Sequence, residues 1–268
     1  MYAEMLCIAA VLLVMLSASA SDIRRREVSD IHWFVISAIG AVYGIRLGLT
    51  GWLLFVVGFV MILSSVYSPR LDGIRSVTVL ILSVPVMSMS YLASGDVMPV
   101  IAAAMSILAV AMYYSGVMTG GADVKALIAL SMAFPIYPDA GCILWEPTFP
   151  QSMVLNPVMS SLVIGLLISV LLTLPTVVRN LITGQRPIQS FPMGVGEARG
   201  SFVWPLEDVV DGKRAIIGPS DNTEEVYRRL QDAGIEEIRV AWMIPFIVPL
   251  TAGLIITILL GCPLFAVI

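Results

Sequence analysis

The 268-residue chain is 58% hydrophobic and only 13% charged, with a mean hydropathy of +0.94, which leaves too little polar surface for a soluble globule. Its formal net charge of −4 is small and by itself says little about partners; no nucleic-acid partner is expected. Cys7, Cys142 and Cys262 stand singly, and one histidine, His32, would have to serve any thiol nucleophile as its base, so metal sites and Cys/His chemistry are disfavoured and no cofactor is expected.

Crossing a bilayer takes about 20 apolar residues. In chain order such runs fall at residues 2–21, 31–47, 51–67, 77–93, 97–115, 124–137, 153–175 and 242–260. The sixth is short and ends at Pro135 and Pro138, so an irregular outer turn is expected there. No basic stretch precedes the first run, and Arg24, Arg25 and Arg26 follow it, the pattern of a retained helix with its N-terminus outside. With that orientation every Lys and Arg except Arg46 falls inside. The expected fold is an all-α polytopic membrane protein in a lipid bilayer, with about eight transmembrane helices. Residues 1–175 form the first seven helices and residues 242–268 the last.

Between residues 176 and 241 charge rises and the apolar runs shorten, marking a small α+β cytoplasmic insert. Gly184, Pro187, Pro192, Gly194, Gly196 and Gly200 give it a loop-rich start. Its second half reads as an extended stretch at residues 214–217, then a helix capped by Ser220, Asp221 or Asn222 and stopped by Gly234, and a strand at residues 237–240. Among its acids, Glu207, Asp208, Asp211, Glu224, Glu225, Glu236 and Glu237 form a field that would attract a basic segment.

Three patterns carry chemistry. Asp22 ends the first helix before Arg24, Arg25 and Arg26; it reads as a catalytic acid or as an interfacial acid paired with those arginines. Gly120, Gly121 and Ala122 precede Asp123 at a helix start, with Lys125 close behind, and Asp123 reads as a catalytic acid or as an N-cap. Pro245 and Pro249 enter the last helix, where Pro249 is expected to break the ladder and expose backbone to which an extended substrate could pair. The topology puts Asp22 and Asp123 at the same face. Two adjacent carboxylates can share a proton and activate water, the chemistry of an aspartyl protease.

At these residues the chain resembles the archaeal preflagellin (archaellin) peptidases, relatives of the type IV prepilin peptidases within the GxGD intramembrane aspartyl proteases. The likeness runs through Asp22 and its arginines, Asp30 to Trp33, Gly120 to Lys125, Glu146 to Pro150, Arg179 to Pro187 and Pro245 to Leu250. It implies that Asp22 and Asp123 form the catalytic pair, and that the substrate is an archaellin or pilin precursor with a short basic leader before an apolar helix. The smaller family members have six crossings, and this chain departs from them by an additional helical pair at about residues 51–93. Ala122 departs from the family, which has glycine immediately before the second aspartate; a need for positive φ there would not be met. Two rival classes share the same residues, a proton- or cation-coupled transporter and a noncatalytic membrane scaffold.

Overall fold

A computed structural model describes residues 2–67, 73–118, 120–139, 144, 145, 147–185, 189–210, 212–217 and 222–266. Its contacts divide the chain into two compact units, Met1–Leu166 with Phe246–Ile268, and Leu167–Pro245.

The first unit is helical. Helix α1 (Tyr2–Arg25) ends on Arg24 and Arg25, cations that suit the negative end of a helix. Its buried stripe, Ile8, Val11, Met15, Ala18, Ser19 and Asp22, follows the three- and four-residue spacing of one helix face. Helix α2 (Ile31–Tyr43) passes through a 3₁₀ turn, Gly44–Leu47, into α3 (Gly48–Tyr67). Gly48 takes φ +73° at that bend, and Trp52 Nε1 donates back to the Ala41 carbonyl at 2.8 Å. Helices α4 (Gly73–Ser94) and α5 (Met98–Tyr114) follow, then α6 (Gly121–Ala133). Every residue from Ala126 to Phe134 is buried, so α6 is a central helix with no outer face; being apolar all round is what that position demands.

Thr148 and Gln151 form a capping box that starts a short α7 (Phe149–Val154), and α8 (Pro157–Thr183) begins after Asn156. Composition places the end of this run at Pro175. The helix instead continues through that proline to Thr183, and Gly184, with φ +67°, is the residue that stops it. Among the described residues, four helical stretches are long and apolar enough to cross a membrane: Tyr2–Arg25, Ile31–Tyr67, Arg75–Ser94 and Pro157–Thr183. Met98–Tyr114 and Ile247–Leu260 are apolar but shorter. These helices make a polytopic membrane protein.

The second unit carries the strands. In chain order it holds β1 (Phe191–Gly194), α9 (Val195–Arg199), β2 (Val203–Pro205), β3 (Glu207–Val210), β4 (Lys213–Ile216), α10 (Thr223–Asp232) and β5 (Glu237–Trp242). Strand β5 lies between β1 and β2, antiparallel to both, while β3 and β4 form a separate antiparallel pair. Pro192 sits on an edge strand, where its missing N–H leaves no gap in the ladder. Asn222 caps α10 and Gly234, at φ +70°, follows its end; Ser220 and Asp221 lie outside the described residues. Val226, Tyr227 and Leu230 of α10 pack on Val195, Ala198, Val203, Ile238 and Val240.

Two of the acids read as a steering field do another job. Asp208 takes Arg229 Nε at 3.0 Å and Nη2 at 2.5 Å, and Glu207 joins Arg214 Nη2 at 2.5 Å to the Arg239 amide at 2.7 Å. Both are buried between the elements that they tie together, so neither is presented to a passing segment. Asp211 lies outside the described residues. Helix α11 (Ile247–Leu260) returns the chain to the first unit.

Candidate functional site

Asp22 occupies the last turn of α1 on its buried stripe, an unfavourable end of its own dipole for a carboxylate. What compensates is α11: Ile247, the first residue of that helix, donates its backbone N–H to Asp22 Oδ2 at 3.2 Å. The first N–H groups of a helix have no partner within it, so Asp22 supplies one from outside and sits at the positive end of a second dipole. One turn lower, the hydroxyls of Ser19 and Thr251 are 2.8 Å apart, and Thr251 also donates to the Ile247 carbonyl at 2.7 Å. The seam between α1 and α11 is therefore polar and hydrogen-bonded where it approaches Asp22.

Beyond α1 the chain reverses. Arg26 adopts φ +55°, its amide bonds to the Asp22 carbonyl at 3.1 Å, and Ser21 Oγ donates to the Glu27 carbonyl at 2.8 Å. The turn brings the Arg26 charge within range of Asp22, whereas Arg24 and Arg25 point to the exterior.

Asp123 is the third residue of α6, whose N-cap is Gly120. The reading of Asp123 as the N-cap thus gives way to one of a first-turn acid, and the N-cap makes no side-chain hydrogen bond. The Asp123 carboxyl folds back so far over Gly120 that a Cβ there would overlap Oδ2. By contrast a Cβ on Gly121 would meet nothing within 4 Å. Ala122 has ordinary helical backbone, since among the described residues positive φ outside glycine occurs at Arg26 alone, so the departure at this position removes no required conformation. Thr119 lies outside the described residues.

The two carboxylates are within electrostatic reach of each other. Each stands at a helix N-terminus, Asp123 within α6 and Asp22 against α11, which supplies both with positive potential in an apolar setting. Lys125 does not join them: its Nζ donates to Asp30 Oδ1 at 2.7 Å and lies 4.4 Å from the centre of the Tyr67 ring. Asp30 is the N-cap residue of α2, so this pair ties the start of α2 to the first turn of α6. Neither Asp30 nor Tyr67 was legible as its partner, because Asp30 reads locally as a cap and Tyr67 as the end of an apolar run.

Glu4, Arg46 and Asp96 gather at the opposite end of α1. Tyr43 Oη donates to Glu4 Oε1 at 2.9 Å, Arg46 Nη1 to Tyr43 Oη at 2.8 Å, and Arg46 Nη2 stands 3.8 Å from Asp96 Oδ2. These acids cannot meet Asp22. His32 is held between Ser17 Oγ at 3.3 Å and the Ser29 carbonyl at 2.9 Å.

The expected break at Pro249 is not found. Helix α11 starts at Ile247, which makes Pro249 a buried first-turn residue where a missing N–H costs nothing, and Leu250 N bonds to the Phe246 carbonyl at 3.1 Å. Pro245 precedes the helix in irregular backbone. Among the described residues, no three His, Cys, Asp or Glu side chains come together as a metal site would require.

No family model matches the chain. A preflagellin peptidase of Methanococcus maripaludis is 27% identical to it over 262 residues, covering 91% of this chain and 90% of the relative. At that coverage the similarity supports the archaeal preflagellin peptidase-like family to which the motifs point.

Proposed function

We propose that this preflagellin peptidase-like chain is a membrane aspartyl endopeptidase that removes the basic leader of archaeal preflagellin or prepilin-like precursors. The observation that carries the reading is the placing of both carboxylates at helix N-termini, Asp123 in the first turn of α6 and Asp22 on the first amide of α11. One is protonated and the other ionised; together they deprotonate a water as it attacks the scissile carbonyl and protonate the leaving amine. The two acids titrate as a coupled pair, so neither role is assigned to one residue.

Gly120, Gly121, Ala122 and Lys125 form the turn that presents Asp123. Substrate-backbone docking at Pro245 and Pro249 stays within the proposal, Pro249 lying in the same first turn of α11 that Asp22 caps. Eight crossings, an outside N-terminus and a cytoplasmic second unit complete it. In that arrangement the substrate helix enters from the bilayer and its leader meets the acids at the inner face.

The test is co-expression with an archaellin precursor, scored by loss of the leader on a gel. Parent protein should cleave, while Asp22→Asn and Asp123→Asn, nearly isosteric but unable to exchange the proton, should insert normally and not cleave. A transporter or scaffold would leave the precursor intact in every case. Either single variant turning over like the parent removes that residue from the pair.

A further inference from the structure

The resemblance includes a stretch, Arg179 to Pro187, that the proteolytic reading does not use. Within the second unit, Arg179, Asn180 and Gln185 line a cavity of about 310 Å³ together with Pro175, Thr176, Phe191, Pro192 and Trp242. Its chemistry has one sign. Arg179 brings a guanidinium with five N–H donors, Thr176 a hydroxyl and Trp242 an indole N–H, and no acid is among the lining residues. Among the described residues nothing pairs with the Arg179 guanidinium, and the side chain is exposed.

The cavity is also built. Asn180 is buried and donates Nδ2 to the Ser190 carbonyl at 2.5 Å, while the Gln185 amide closes on the Asn180 carbonyl at 2.9 Å. Arg239 donates Nε to Ser190 Oγ at 2.6 Å and reaches Gln185 Oε1 with Nη2 at 3.3 Å, so Gln185 keeps its amide donor for another partner. Phe191 and Trp242 lie with ring centres 4.8 Å apart and form an aromatic wall.

Position supplies the second argument. Val170, Leu171, Leu172 and Leu174 of α8 are all exposed, the mark of a lipid-facing helix, and Arg179 follows about one turn further along. An arginine beside a half-exposed tryptophan where an apolar helix surface gives out is the composition of a bilayer interface. Phosphate suits the donors present, since a guanidinium binds it through paired, charge-assisted hydrogen bonds. We propose that this cavity binds a phosphate anion presented by an acidic lipid headgroup.

The full chain, delipidated in a zwitterionic detergent, would be titrated with phosphatidylglycerol and with phosphatidylcholine of the same acyl chains, and bound lipid counted by native mass spectrometry. Parent protein should retain phosphatidylglycerol in preference. Arg179→Gln should weaken that retention roughly tenfold, as loss of hydrogen bonds to a charged group implies, and Thr176→Val by a smaller factor. Arg228→Gln, an exposed arginine elsewhere in the same unit, should bind like the parent. Equal retention of the two lipids, or an Arg179→Gln protein that binds phosphatidylglycerol like the parent, overturns the site. A parallel arm adds inorganic phosphate: displacement of phosphatidylglycerol at equal concentration would make the ligand a soluble anion and overturn the lipid assignment. None of these readouts depends on proteolysis, so the site stands or falls apart from the peptidase reading.

Discussion

The proposed catalysis by a carboxyl pair requires each acid to hold one rotamer, and the rotamer of Asp123 depends on a missing methyl at Gly120. A Cβ there would overlap Oδ2 and come within 2.9 Å of Cγ, and the atoms in the way belong to a short side chain that can swing aside. Gly120→Ala is therefore expected to move the carboxyl and leave the fold intact. Displacement by about an ångström costs on the order of 10²-fold in rate, so leader cleavage by this variant should fall by about that factor at normal protein level in the membrane. Gly121→Ala meets open space and should cleave like the parent. Ala122 is half-buried against the core of the first unit; Ala122→Gly should stay active and Ala122→Leu should cleave poorly. The measurement is the rate of leader loss per unit of inserted protein. A fully active Gly120→Ala protein would show that the rotamer is immaterial.

Helices α2 and α5 flank α6, and two features fix its depth against α2. At Gly40 an added Cβ would stand 2.7 Å from the backbone carbonyl of Met132, which cannot step aside. Gly40→Ala should thus force the helices apart at a cost of about 1–3 kcal/mol, the usual range for overpacking, read as a lower unfolding temperature in detergent. Near the acids the same two helices are joined by Lys125 and Asp30, whose side chains keep 23% and 45% of their exposure. That much solvent limits the pair to about 1 kcal/mol or less, so a double-mutant cycle of Asp30→Asn and Lys125→Met should give a coupling no larger and one that shrinks with salt. Elements with strong periodicity or firm end signals were readable in the sequence: α1 with its terminal arginines, and α10 between Asn222 and Gly234. Strands β1, β2 and β3 were not, because each spans three or four residues and β1 contains Pro192 and Gly194; they exist only by pairing with β4 and β5. Asp22 and Asp123 stood out as acids in apolar surroundings. The Ile247 amide that caps Asp22 could not, since only the folded chain brings residues so far apart together.

Across the whole molecule the two units are held by different forces, and acid should separate them. The first has a broad apolar core that runs through every helix from α1 to α6, part of α8 and α11, and burial of that kind does not titrate. The second has a small apolar cluster, and its strands and helix are joined by buried carboxylates. The bidentate hydrogen bonds from Arg229 hold the Asp208 carboxyl below its ordinary value of 3.8, with the Val209 amide adding to the effect and burial opposing it. A carboxylate with a depressed pKa in the folded state contributes stability above its unfolded pKa, and loses it as pH falls through the folded one. Unfolding of the second unit should therefore become easier below about pH 4. A full-length variant in which Trp33, Trp52, Trp145 and Trp242 are changed to Phe, leaving Trp204 on β2 as the sole tryptophan, would report this as a falling fluorescence transition temperature between pH 6 and pH 3. Asp208→Asn should lower the transition at pH 6, because an amide cannot match the charge-assisted pair, and should flatten its decline in acid. If that variant shows the same acid slope as the parent, the proton that destabilises the unit binds elsewhere and the argument from Asp208 fails.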